Sequence, residues 1–173
     1  MKNCTTQLPI LEFITDNIEC KSVFEFGMSH CSTKLLSNKF EHVISVEMQD
    51  QNWFDEMNNK NDLPSNVDLK CALGKTPAID ILKSIDGKQS CVIVDGHEDN
   101  RWECINESFE KTDVIIAHDT EMHSYKWELV KKPKDFIWID VKQYNPWTSV
   151  LTTNKDLILA IVQKYPSHTV NHF

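Results

Sequence analysis

The sequence predicts a doubly wound α/β sheet in one domain spanning residues 1–173, with five parallel strands followed by an antiparallel C-terminal strand pair. Three observations lead there. The apolar run Val23-Phe24-Glu25-Phe26 breaks at Gly27 and restarts as a helix at Ser32-Thr33. Two later runs, Cys91-Val92-Ile93-Val94 and Val114-Ile115-Ile116-Ala117, are apolar throughout, as strands covered on both faces are. Segments of helical spacing separate such runs, and strands alternating with helices build a parallel sheet.

In chain order, Ile10, Phe13 and Ile14 share one face of a helix that Asp16-Asn17 closes. Val23 to Phe26 is the first strand and Val43 to Val46 the second, each followed by a helix; Trp53, Phe54 and Met57 mark the face of the latter. Asn58 to Asn66 reads as a polar loop. Val67 to Leu73 alternates as a third strand does, Gly74 ends it, and Thr76-Pro77 opens a helix carrying Ile79, Ile81, Leu82 and Ile85. Asp86-Gly87 marks a turn, and the fourth strand is followed by a helix with Trp102, Ile105 and Phe109. After the fifth strand, Phe136 to Ile139 and Thr148 to Thr152 are joined by too short a segment for a parallel crossover, so they are expected to pair antiparallel. Leu157 to Val162 fits either a strand or a buried helix.

With 173 residues, 40% of them hydrophobic, the chain can bury its own core. A net charge of −8 argues against a broad phosphate-binding surface, so a small-molecule partner is expected and nucleic acid is not. The basic stretch Lys126 to Lys134 reads as a solvated loop. The six cysteines show no C-x-x-C spacing, and Cys71 and Cys91 are expected to be buried thiols. No apolar leader or run of membrane-spanning length occurs, so a cytoplasmic, membrane-free protein is expected; homo-oligomerisation is left open.

Ligands of open α/β sheets sit beyond the carboxyl ends of the strands. Those ends carry Glu25-Phe26-Gly27, Glu47, Asp95-Gly96-His97 and His118-Asp119-Thr120-Glu121. A strand that turns on glycine into a helix start offers unpaired N–H groups to a ligand, and an acidic residue about twenty positions later suits ribose hydroxyls. Arg101 is expected to pair with Glu98 or another surface acid, with recognition of a substrate anion as the alternative. Among the tryptophans 102, 127, 138 and 147, only Trp147, in the loop Tyr144-Asn145-Pro146-Trp147, suggests a cleft.

The pattern Glu25-x-Gly27-x-Ser29-x-x-Ser32-Thr33, Val46-Glu47, Val94-Asp95-Gly96-His97 and Ile116-Ala117-His118-Asp119-Thr120 resembles class I S-adenosylmethionine-dependent methyltransferases. It is most similar to the small-molecule O-methyltransferase branch of macrocin and catechol type, whose sheet is Rossmann-like. The glycine loop departs from that family in keeping one glycine, with Ser29 in a usual glycine place. The resemblance implies methyl transfer from S-adenosylmethionine to an oxygen or nitrogen of a small acceptor. It assigns Glu25, Gly27, Met28 and Ser29 to the methionine and ribose end of the cofactor, with Ser32 and Thr33 capping the helix and reaching the carboxylate. It places Glu47 on the ribose, Met48 against the adenine, Cys71 and Ala72 beside the adenine amino group, and Asp95 by the reacting end. Asp95, His118 and Asp119 match the place where cation-dependent members hold a divalent ion such as Mg²⁺, although histidine is an unusual ligand for so hard an ion. His97 offers a base without metal. Asp95, His97 and Asp119 are thus the catalytic candidates, and metal-dependent and metal-free chemistry both stay open. So do two other functions: a nicotinamide-dependent oxidoreductase, weakened by the missing G-x-G-x-x-G spacing, and a catalytically inactive binding protein of the same fold.

Overall fold

The computed structural model describes residues 6–60, 63–97, 99 and 101–171. The elements alternate in the expected order: α1 (Leu8–Thr15), β1 (Ser22–Phe26), α2 (Ser32–Lys39), β2 (His42–Glu47), α3 (Gln51–Asn59), β3 (Val67–Cys71), α4 (Lys75–Ser84), β4 (Cys91–Val94), α5 (Arg101–Ser108), β5 (Val114–His118), β6 (Ile137–Val141), β7 (Thr148–Thr152), α6 (Lys155–Lys164) and β8 (His168–Asn171). They form one sheet of order β3-β2-β1-β4-β5-β7-β6-β8.

β1 to β5 are mutually parallel, and β7 enters antiparallel between β5 and β6. The strand count corrects the expectation, because β8 adds an antiparallel edge beyond β6. Its four residues, His-Thr-Val-Asn, are all half-buried and carry no apolar alternation, so periodicity does not reveal them. The open reading of 157–162 resolves to helix: Asn154 Oδ1 accepts from the N–H groups of Asp156 and Leu157 and caps α6. Between β5 and β6 the chain makes only two short 3-10 turns, His123–Tyr125 and Trp127–Leu129.

Alternating strand residues feed two apolar layers. Phe24, Phe26, Val92, Val94, Ile115 and Ala117 pack with Ala78, Leu82, Cys104 and Ile105 of α4 and α5. Val23, Val43, Ile93 and Ile116 pack with Ile10, Leu11 and Ile14 of α1, Leu36 of α2, and Leu157 and Ile161 of α6. Cys91 is buried as expected, whereas Cys71 is half-buried, since β3 is an edge strand with no fully covered residue. No described helix is long and apolar enough to cross a membrane.

Candidate functional site

The strand order reverses direction between β1 and β4. β1 leads through α2 to β2 on one side, and β4 leads through α5 to β5 on the other, which opens a crevice above their carboxyl ends. Gly27 lies in that crevice with φ 86°, a conformation that side chains disfavour. A Cβ on Gly27 would stand 2.5 Å from the carbonyl oxygen of Asp95 and 2.7 Å from Gly96 Cα. The turn after β1 is therefore seated directly on the turn after β4. Ser29 organises the entry to α2: its Oγ accepts from the N–H of Ser32, and its own N–H donates to Thr33 Oγ1. Met28 is buried and its carbonyl accepts from Trp53 Nε1 at 3.1 Å.

The carboxylates at the strand ends differ sharply in their surroundings. Glu25 is completely buried and accepts from Ser32 Oγ (2.5 Å), Thr33 Oγ1 (2.6 Å) and Ser45 Oγ (2.5 Å). Burial outweighs those donors and pushes its pKa up to about 7. Ser45 is a partner that sequence reasoning passed over; the signal was a lone serine in the apolar run of β2, directly opposite Glu25 in the register. Glu47 is nearly buried, and its Oε1 accepts from the N–H groups of Gln49 (2.7 Å) and Asp50 (3.0 Å). It thereby shapes the loop that follows β2. Met48 is buried in the core, and its sulfur would stand 2.6 Å from a Cβ on Gly96. Cys71 donates to Gln51 Oε1 at 3.2 Å, and Ala72 joins the apolar layer.

At the exits of β4 and β5 the structure gathers Asp95, His118 and Asp119 around Arg101. Arg101 is 5% exposed; its Nη2 meets Asp95 Oδ1 and its Nη1 meets Asp119 Oδ2, both at 3.1 Å. Its Nε donates to the Gly96 carbonyl (3.0 Å), its Nη1 to the His118 carbonyl (2.6 Å), and the Tyr125 ring stacks 4.5 Å from its carbon centre. Gln7, just before α1, donates from Nε2 to Asp95 Oδ2 at 3.0 Å. Burial raises the pKa of Asp95, with the Arg101 charge acting against it. His118 Nδ1 lies 3.1 Å from Thr148 Oγ1, and its Nε2 lies 3.4 Å from Asp119 Oδ1. Asp119 takes a left-handed backbone, φ 57°, a cost that concentrates at functional sites.

Arg101 therefore does not reach a surface acid as expected; Glu98, the partner named from sequence, lies outside the described residues. Among the described residues no three His, Cys, Asp or Glu side chains converge as a metal site. A divalent ion does not fit this arrangement, because the carboxylate oxygens that face each other both face the guanidinium. His97 bonds within its own loop, accepting at Nδ1 from the N–H of Asp99 at 3.2 Å. The loop carrying Trp147 folds against the exit of β5, where the Trp147 N–H donates to Glu121 Oε2 and Lys142 stacks on the indole. A hollow of about 470 Å³ lined by Thr76, Ile79, Lys83, Trp102 and Glu107 lies on the α4 and α5 flank, and none of its lining residues belongs to a strand end.

No protein-family model matches the chain, and no curated protein matches it. Solved structures do. A Klebsiella pneumoniae protein inferred to be an O-methyltransferase superposes with a TM-score of 0.63 at 13% identity, over 89% of this chain and 81% of that one. The O-methyltransferase TomG of Streptomyces achromogenes, solved with S-adenosylmethionine, gives 0.60 at 15% identity over 84% and 77%. An rRNA methylase of Streptococcus thermophilus gives 0.59 at 12% identity over 88% and 98%. The chain has the class I methyltransferase fold.

Proposed function

We propose that this chain is an S-adenosylmethionine-dependent methyltransferase acting on an oxygen, or a nitrogen, of a small molecule. The observation that carries the reading is the Gly27 turn, seated on Asp95 and Gly96 at the reversal of strand order, with Glu47 one strand away. O-methyltransferases of this fold, one solved with S-adenosylmethionine and one with S-adenosylhomocysteine, support it. The net charge of −8 favours a small acceptor over RNA, although rRNA methylases share the fold.

S-adenosylmethionine brings an electrophilic methyl on a sulfonium, so the protein needs to orient the acceptor and take its proton. Gly27, Met28 and Ser29 would line the methionine end, and the second oxygen of Glu47 would meet the ribose. Ser32 and Thr33 act through Glu25, fixing the turn from below rather than touching the ligand. Asp95 and Asp119, held by Arg101, form the rigid wall of the acceptor side, and His97 on the neighbouring loop is the group that takes the proton. A binding protein without turnover is the second reading, favoured by the packing of Met48 on Gly96 and the complete burial of Glu25.

Calorimetry with S-adenosylmethionine, S-adenosylhomocysteine and NAD on the parent and on Glu47→Gln tests the proposal. The amide keeps an oxygen for the Gln49 and Asp50 N–H groups but loses the charge. We expect the first two ligands to bind, NAD not to bind, and the variant to lose about 10- to 100-fold in affinity, as a charge-assisted hydrogen bond implies. Binding of NAD alone overturns the reading, and unchanged affinity in a folded variant removes Glu47 from the ribose.

A further inference from the structure

Asp95 and Asp119 leave adjacent parallel strands at one edge of the sheet, and two carboxylates brought so close need a cation between them or a shared proton. Here the cation belongs to the chain. All three nitrogens of the Arg101 guanidinium are engaged, by two carboxylates and the carbonyls of Gly96 and His118, and Tyr125 covers a face of the group. The remaining carboxylate oxygens are engaged as well: Asp95 Oδ2 accepts from Gln7, and Asp119 Oδ1 faces His118 Nε2. A hard divalent ion asks for about six oxygens in a near-octahedral shell, and carboxylates are its principal protein ligands. An ion shared by the two aspartates would have to displace a buried, permanently charged arginine from Asp95 Oδ1 and Asp119 Oδ2, and the two outer oxygens are already held by Gln7 and His118.

We propose that Arg101 is a resident cation: its guanidinium takes the position between Asp95 and Asp119 that a divalent ion would take, fixes both carboxylates, and makes this site independent of metal. This rests on the methyltransferase reading only for its bearing on the acceptor. A metal ion can bind two adjacent oxygens of an acceptor and draw off a proton; a guanidinium whose nitrogens are all committed can do neither. The site therefore has no means of selecting a chelating acceptor such as a vicinal diol, and suits an acceptor with a single nucleophilic atom. Arg101 acts as a positioning residue through the two aspartates.

Titration with Mn²⁺, followed by the electron paramagnetic resonance signal of the free ion, tests this on the parent, Arg101→Met, Arg101→Lys and Asp119→Asn. The parent, the lysine variant and Asp119→Asn are expected to leave the same large share of Mn²⁺ free. Arg101→Met vacates the position and is expected to take up one ion at least about 10-fold more tightly than the parent, with a rise in its melting temperature on adding Mn²⁺. A second substitution, Asp119→Asn, should abolish both effects. Manganese bound by the parent and lost in Asp119→Asn overturns the proposal, as does a folded Arg101→Met that takes up no more than the parent. Should Arg101→Met not fold, the parent against Asp119→Asn decides: equal, weak uptake upholds the proposal and a difference overturns it. Cofactor calorimetry on the same parent sample reads the methyltransferase assignment separately, so either can fail while the other stands.

Discussion

Glu25 on β1 and Asp95 beyond β4 lie on neighbouring strands, close enough for the charge of Asp95 to disfavour ionisation of Glu25, yet they are buried by opposite means. Among the described residues Glu25 is met by three hydroxyls and by no cation, so its burial is expressed as a pKa raised to about 7. Asp95 has an arginine, a glutamine and a share in a second carboxylate's counter-ion. Hydroxyls can follow a carboxyl through either protonation state by rotating. A guanidinium cannot, and its charge acts against the protonation of Asp95 that burial favours. The first region is built to tolerate titration beneath the Gly27 turn, and the second to hold two carboxylates on one guanidinium. The comparison shows that a buried acid at a strand end is not by itself a functional signature; what donates to it decides.

Breaking the charged region has the largest expected effect. Removing one partner of a buried ion pair leaves the other charge uncompensated, which costs about 3–5 kcal/mol. Arg101→Met should lose that much at pH 7.5 in urea unfolding. Without the guanidinium, the Asp95 pKa, already raised by burial, rises further. The deficit should therefore narrow as pH falls and Asp95 takes up its proton. A deficit independent of pH would mean that Arg101 contributes packing rather than charge.

Glu25→Gln addresses the other region and should show a smaller, pH-shaped effect. The folded pKa of about 7 lies above the unfolded value of 4.5, so between these limits the folded state holds the extra proton. Stability contributed by Glu25 is thus highest below pH 4.5, falls as pH rises, and is flat above about 7. The whole span corresponds to about 3 kcal/mol at 1.36 kcal/mol per unit of pKa. In Glu25→Gln that slope is absent, while the amide still meets the three hydroxyls. Urea unfolding at pH 5 and pH 7.5 should therefore show the parent losing more stability than the variant over that interval, and parallel curves would place the raised pKa elsewhere.

How much of this was legible in the sequence follows from the distance over which each feature is encoded. The glycine turn and the strands β1 to β5 are local: apolar runs, one glycine and a hydroxyl pair sufficed. The 157–162 run stayed ambiguous because apolar residues fill both a buried helix and a strand, and the deciding signal was the Asn154 cap. β8 is a short edge strand without apolar alternation, defined by its pairing with β6. Arg101 was out of reach for a different reason. Its partners are six residues before it and eighteen after it, and they meet only because β4 and β5 are neighbours in the sheet. The sequence placed two acids at one edge and implied a cation for them; that the cation is a side chain required the fold.

His97 offers the smallest stability effect and the sharpest test of which region the chemistry belongs to. Its side chain is 37% exposed, and Asp99, with which it pairs at 3.8 Å, is 69% exposed. Exposed pairs of this kind contribute little. His97→Ala should therefore unfold within about 0.5 kcal/mol of the parent, as surface substitutions do. With Arg101 holding both aspartates in ion pairs, and His118 set between Thr148 and Asp119, the imidazole of His97 is the more exposed proton acceptor at this edge. The same variant should then lose about 100-fold or more in turnover, the range in which a general base contributes. Release of S-adenosylhomocysteine with a panel of monohydric phenols and simple amines measures this. Unchanged turnover in the folded variant would take the base away from His97 and return it to the aspartates, which would then have to exchange a proton while paired to an arginine.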